Sequence, residues 1–125
     1  MIATLQCVVI DCPRPRELAA FYRRVLGGEV DKQDPRWSTD ATWSTLHTPD
    51  GRVLAFQQAP DLQPPAWPDP SRPQQYHLDL GVADLDAAEA GVLEAGATLL
   101  DAGDPGRCWR VYADPVGHPF CLVQE

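Results

Sequence analysis

His77 is the side chain best suited to proton chemistry, because an imidazole titrates near neutrality and can take or give a proton at physiological pH. Asp79 lies two positions on, the spacing that puts both side chains on one face of a strand. His77 can act as a general base, or be a pocket histidine hydrogen-bonded to a neighbour such as Asp79, which can itself orient a polar ligand. Cys7, Cys12, Cys108 and Cys121 offer thiols, but their spacing matches neither a zinc finger nor a thioredoxin pair. Cys7 and Cys121 have no basic neighbour in view, so a reactive thiol is not expected at either. Trp43 and Trp109 can stack a flat ligand or fill a core. Trp67 can act as a lid or a contact between chains. Gln57 can orient a polar group. Arg107 and Arg110 can hold an anion or line a solvated strand edge. His118 follows Asp114-Pro115-Val116-Gly117, a turn signal, and reads as structural. His47 falls at a strand end with no visible partner and receives no role.

These residues need elements to hold them. Thr4–Asp11 reads as a short apolar strand. Pro13 and Pro15 stop it and suit a helix start. Leu18, Phe21, Tyr22, Val25 and Leu26 then form an amphipathic stripe, which Gly27-Gly28 ends. Strands are predicted over Glu29–Gln33, Ala41–Thr48 and Arg52–Gln58, the last two joined at Pro49-Asp50-Gly51. Ala59–Gln74 holds six prolines and Trp67, and reads as a stiff connection long enough to cover a site. Tyr76–Val82 is the next strand. Asp84 is an N-cap, Leu85, Ala88, Val92 and Ala95 give a weaker helical stripe, and Gly96 ends it. Ala97–Asp101, Arg107–Ala113 and Pro119–Gln124 complete a second β-α-β-β-β series.

The repeat survives at the level of residues. Shifted by 66 positions, Trp43 falls on Trp109, Pro49 on Pro115, Gly51 on Gly117, Leu54 on Phe120 and Phe56 on Leu122. In the first and fourth strands of each repeat, period-two alternation gives one apolar face. It carries Val8, Ile10, Leu54, Phe56, Leu78, Leu80, Phe120 and Leu122, and should lie under the helices. The other face carries Cys7, Val9, Ala55, Gln57, His77, Asp79, Cys121 and Val123. Its mixed chemistry points to a ligand surface.

The chain has 125 residues and a mass of 13.7 kDa, which fits a single domain over 1–125. Module one covers 1–58, the proline-rich linker 59–74 and module two 75–125. Acidic residues number 18 against 10 basic, a formal charge of −8. Nucleic acid and anionic membranes are therefore not expected as partners. Apolar runs such as Cys7–Ile10 are far short of the ~20 residues a spanning helix needs. No secretory signal pattern opens the chain, and with four cysteines this suggests a reducing cytoplasm.

The duplicated β-α-β-β-β pattern resembles the vicinal oxygen chelate superfamily, which includes glyoxalase I, bleomycin-resistance proteins and extradiol dioxygenases. The likeness runs from about Leu5 to Val123. It rests on Val8–Asp11 before a helix with Phe21-Tyr22 and Leu26-Gly27, and on Asp114–Phe120. Within the superfamily the chain is similar to the glyoxalase-like domains of bacteria. That likeness rests on Ile10-Asp11-Cys12-Pro13, Trp67-Pro68-Asp69-Pro70, Gln74–Leu80 and Pro119-Phe120-Cys121-Leu122. The resemblance implies an α+β fold of two β-α-β-β-β modules, with curved sheets around a cup. A ferredoxin-like sandwich is the rival. The resemblance also implies a homodimer in which modules can exchange between chains.

The metal-dependent members take one ligand from the first and fourth strand of each repeat. The matching positions here are Cys7, Ala55, His77 and Cys121. Only His77 is of the usual type, and no carboxylate base stands among them, so an ordinary glyoxalase I is not expected. No cofactor is expected in its place. If a metal binds, the set is a zinc held by Cys7, His77 and Cys121, since zinc accepts thiolate and imidazole. The expected function is binding of a small, flat or aromatic molecule. The expected ligand residues are Trp43, Gln57, Trp67, His77, Asp79, Trp109 and Cys121. The alternative is a lyase, isomerase or dioxygenase that uses His77, with an atypical metal site or none.

Overall fold

Proline and glycine set the limits of the first helix. The first strand, β1 (Val8–Cys12), runs into Pro13, and α1 (Pro15–Leu26) begins with a proline in its first turn. A proline is harmless there because its missing N–H would be unpaired anyway. Glu17 in the first turn and Arg23 and Arg24 in the last complement the helix dipole. Gly27 closes α1, its N–H donating to the Arg23 carbonyl at 2.8 Å. Gly28 follows with a φ of 92°, packed so closely on the His47 carbonyl that a Cβ would overlap it. Then come β2 (Glu29–Val30), β3 (Trp43–His47) and β4 (Val53–Gln58). They form an open sheet in the order β1-β4-β3-β2, with β1 parallel to β4 and the other pairs antiparallel.

The computed structural model describes residues 1–125. It divides into two compact units, Met1–Leu62 and Gln63–Glu125. The second repeats the first with β5 (Leu78–Val82), α2 (Leu85–Ala95), β6 (Thr98–Asp101), β7 (Trp109–Ala113) and β8 (Pro119–Gln124). Its sheet order is β5-β8-β7-β6. The Asp84 carboxylate caps α2 by accepting the Ala87 N–H at 3.0 Å, and Gly96 ends it in the left-handed region. The fold is thus α+β with two mixed four-stranded sheets, as expected. With four strands and one helix per unit, the ferredoxin-like alternative falls away.

Each unit packs its helix on the apolar sheet face. In the first, Tyr22 of α1 stacks on Phe56 of β4 with ring centroids 5.8 Å apart, and Ile10, Leu18 and Leu46 are fully enclosed. In the second, the aromatic pair lies within the sheet itself. Tyr112 of β7 stacks on its cross-strand neighbour Phe120 at 5.5 Å, and Leu85 and Val92 of α2 are the buried helix residues.

Some boundaries differ from the sequence expectation. Residues 1–7 lie outside β1, which starts at Val8 rather than Thr4, and β2 keeps only two of its five predicted residues. An edge strand gains ladder bonds from one neighbour only, so its ends are the first to lose pairing. β5 starts at Leu78, so Tyr76 and His77 precede the strand. Val8, expected in the helix-side core, is 38% exposed at the start of the edge strand β1.

Candidate ligand-binding site

The second unit contains a pocket of about 390 Å3 on the sheet face away from α2. Pairing register explains its floor. Asp79 on β5, Cys121 on β8 and Val111 on β7 lie directly opposite one another across three strands. Val123 and Trp109 form the next row, and His77, just before β5, stands two residues from Asp79 on the same face. Trp67 and Gln74 enter from the proline-rich segment.

That segment is folded tightly. The Ala66 N–H donates to the Arg72 carbonyl and the Asp69 N–H to the Ala66 carbonyl, both at 2.8 Å, which closes a loop around Trp67. The Asp69 carboxylate accepts the Ser71 N–H and hydroxyl at 2.9 and 2.8 Å. Before the loop, Pro64 and Pro65 lie against Gly117, where φ is 116° and a Cβ would come within 3.3 Å of both prolines. The Gly117 turn is itself held by the buried Asp114, whose Oδ1 accepts the N–H groups of Val116, Gly117 and His118. The structural reading of that turn is correct.

Trp109 is also held in place. The Arg107 guanidinium stacks on its indole at 3.7 Å, donates to its carbonyl at 2.8 Å, and pairs with the Asp101 carboxylate at 3.1 Å. Arg110 has the opposite parity. It points to α2 and pairs with Asp86 at 2.7 Å and Glu89 at 3.1 Å. Glu89 also accepts the Tyr112 hydroxyl at 2.7 Å, and burial pushes that phenol's pKa up. Both arginines are therefore engaged by carboxylates of their own unit, which disfavours the anion-holding alternative for them.

At the floor, His77 Nε2 lies 3.4 Å from Asp79 Oδ1. Burial, reinforced by the Asp79 charge, pushes the Cys121 thiol up to about 11. A thiol held there stays protonated at neutral pH and is a poor nucleophile.

The pocket thus collects Trp67, His77, Asp79, Trp109 and Cys121 of the expected ligand residues. Trp43, Gln57 and Cys7 belong to the first unit. Trp43 is half-buried at the start of β3, opposite the exposed Gln57, with its indole N–H buried and unpaired. Cys7 precedes β1, and burial raises its thiol while Arg36 pulls the other way. A basic neighbour is thus present at Cys7, against expectation, but burial outweighs it. Sequence reasoning gave no site role to Gln74, Val111 or Val123. Period-two alternation marks Val123 and, extended to β7, Val111, whereas Gln74 lies in a segment without periodicity. His47 also needs correction, since it has a partner. Its Nε2 lies 3.0 Å from Asp34 Oδ2, a residue of the β2–β3 connection that no periodicity could align with it.

A family model described as a glyoxalase-like domain matches residues 7–123. The chain belongs to the glyoxalase-like domain family. Solved structures of similar fold include a glyoxalase/bleomycin resistance protein/dioxygenase family enzyme from Burkholderia phytofirmans. It has a TM-score of 0.73 and 20% identity, with 98% of each chain covered. A glyoxalase/dioxygenase from Nostoc punctiforme gives a TM-score of 0.72 at 20% identity, covering 99% of this chain and 92% of its own. The fosfomycin resistance protein FosX from Mesorhizobium loti gives 0.69 at 16% identity, covering 98% and 92%. No curated protein matches the chain.

As a glyoxalase-like domain, the chain can be tested against the metal positions the resemblance implies. Register aligns β1 with β5 at an offset of 70 and β4 with β8 at 66. Cys7 is thus equivalent to His77, and Ala55 to Cys121. Ala55 is a fully buried methyl group with no lone pair to offer. The quartet also contains no carboxylate. It does not fit the inherited metal, and no reaction step is derived through it.

Proposed function

We propose that this glyoxalase-like domain binds a small, flat, aromatic molecule in the pocket of its second unit, and that it holds the molecule rather than converting it. The observation that carries this reading is the pairing of Trp67 and Trp109 on one pocket of about 390 Å3. That volume suits a small-molecule ligand, and each indole adds stacking of about 0.5–1.5 kcal/mol beyond area burial. Val111 and Val123 supply apolar floor, while Gln74, His77 and Asp79 supply polar contacts to orient the ligand. The lining includes no Arg or Lys. One neighbouring FosX structure holds manganese and a phosphonic acid. A phosphonate suits the metal-free pocket poorly, because no side chain of its lining carries a fixed positive charge. A neutral drug or secondary metabolite suits it better.

Loss of the usual metal, residence in the cytoplasm and a homodimeric state belong to the same reading. Ala55 supports the first, and four free cysteines support the second. The test is tryptophan quenching against a panel of aromatic compounds, with chelator present. The expected result is saturable binding of one molecule per chain, weakened about 3–10-fold in Trp109→Ala, with the compound recovered unaltered. Binding that ignores Trp109→Ala would overturn the assignment.

A second reading has one observation in its favour, the contact between His77 and Asp79, which suits acid–base chemistry. It requires a chemically altered product, and turnover lost in His77→Ala while the fold survives.

A further inference from the structure

We infer that His77, Asp79 and Cys121 form a zinc-type metal site contained within the second unit. An imidazole, a carboxylate and a thiol converge there, with candidate ligand atoms all within 4.8 Å of one another. Tetrahedral zinc with bonds of about 2.0–2.3 Å separates its donors by roughly 3.3–3.8 Å. The 3.4 Å between His77 Nε2 and Asp79 Oδ1 already meets that spacing. Closing the rest takes a movement on the order of 1 Å. His77 and Asp79 are exposed and have room for it, while Cys121 is fixed in the sheet directly opposite Asp79. Nitrogen, oxygen and sulfur together suit zinc and its transition-metal neighbours, whereas calcium and magnesium take oxygen alone.

Asp79 stands at none of the positions the family resemblance assigns to a metal. Register makes it the equivalent of Val9, as His77 is of Cys7 and Cys121 of Ala55. One copy of the repeat therefore offers a single donor where the other offers three. Asp79 supplies the carboxylate that the inherited quartet lacks. Three protein ligands leave one coordination position for water or a ligand atom. When the metal–sulfur bond forms, the Cys121 proton passes to solvent, so a dication meets two anionic ligands and a neutral imidazole.

This inference goes beyond the aromatic-ligand reading and is tested without any organic ligand. The full chain is stripped with chelator and titrated with cobalt(II), and zinc is then added in competition. The expected result is one cobalt per chain, with a thiolate-to-metal charge-transfer band that zinc displaces. The band disappears in Cys121→Ser and persists in Cys7→Ser. Affinity falls at least about tenfold in Asp79→Asn, since loss of even an outer-shell partner typically costs 10–100-fold. Asp79 is exposed, so that variant should fold even if Cys121→Ser does not. No binding, a band that survives Cys121→Ser or vanishes in Cys7→Ser, or an unchanged affinity in Asp79→Asn would each overturn the site. The quenching assay is run with chelator, so a failed metal titration leaves the ligand reading intact and a failed quenching assay leaves the metal site intact.

Discussion

Cys121 shows how environment can make a nominally reactive side chain inert. The thiol is 7% exposed and lies opposite a carboxylate, and both features disfavour the thiolate. With its pKa pushed up to about 11, only about one molecule in a thousand is ionised at pH 8. Iodoacetamide is therefore expected to label the exposed Cys108 first and to reach Cys121 appreciably only above about pH 10. Site-resolved mass spectrometry across a pH series checks this, and rapid labelling at pH 7 would contradict it. At this scale the pocket was largely legible. Period-two spacing marked His77 and Asp79 as same-face neighbours and put Cys121 on the matching face of its own strand, and the β5–β8 register sets Cys121 directly opposite Asp79. Asp34 beside His47, and Gln74 in the pocket wall, were not legible, because a connecting segment imposes no period that could reveal a partner.

At the scale of elements, one repeat has two packing solutions. α1 brings Tyr22 onto Phe56 of its sheet, with Phe21 edge-on against Tyr22, whereas α2 presents smaller residues and its sheet supplies Tyr112 and Phe120. Core volume moves from helix to strand while the register of the β3–β4 and β7–β8 hairpins stays the same. The stronger stripe made α1 easy to read. α2 has a weaker stripe, and its limits are marked by the Asp84 cap and Gly96.

The β2–β3 connection carries an ion-paired anchor. Arg36, and then His47, hold the Asp34 carboxyl well below the usual carboxylate range. A depressed folded-state pKa stabilises the fold above the unfolded value of about 3.9 and loses that contribution as the pH falls below it. Asp34→Asn should therefore lower the melting temperature at pH 7, and the gap from wild type should narrow as the pH falls from about 4 toward 2. Melts at several pH values decide it. A gap constant across that range would mean that Asp34 acts by packing alone.

For the whole molecule, composition excluded more than it identified. A charge of −8 argued against nucleic acid, and no helix is long and apolar enough to cross a membrane. The duplication set the fold class, because two matching series of elements constrain each other. Ligand identity was not legible, since the same scaffold serves many chemistries. Sedimentation equilibrium tests the proposed homodimer. The expected mass is twice the 13.7 kDa of one chain, and a single-chain mass at micromolar concentration would refute it.

The two offsets have a consequence for engineering. The hairpins align at 66 and the first strands at 70, so the halves differ in length between the first strand and the hairpin, most visibly in the β2–β3 connection. A one-residue slip inside a hairpin would turn every side chain to the wrong face, so those turns tolerate no change in length. The exposed Ser38-Thr39 stretch is instead a natural place for an inserted tag or reporter peptide. Such an insertion should leave ligand binding by the second unit untouched, whereas a single deletion at Val116 should abolish it.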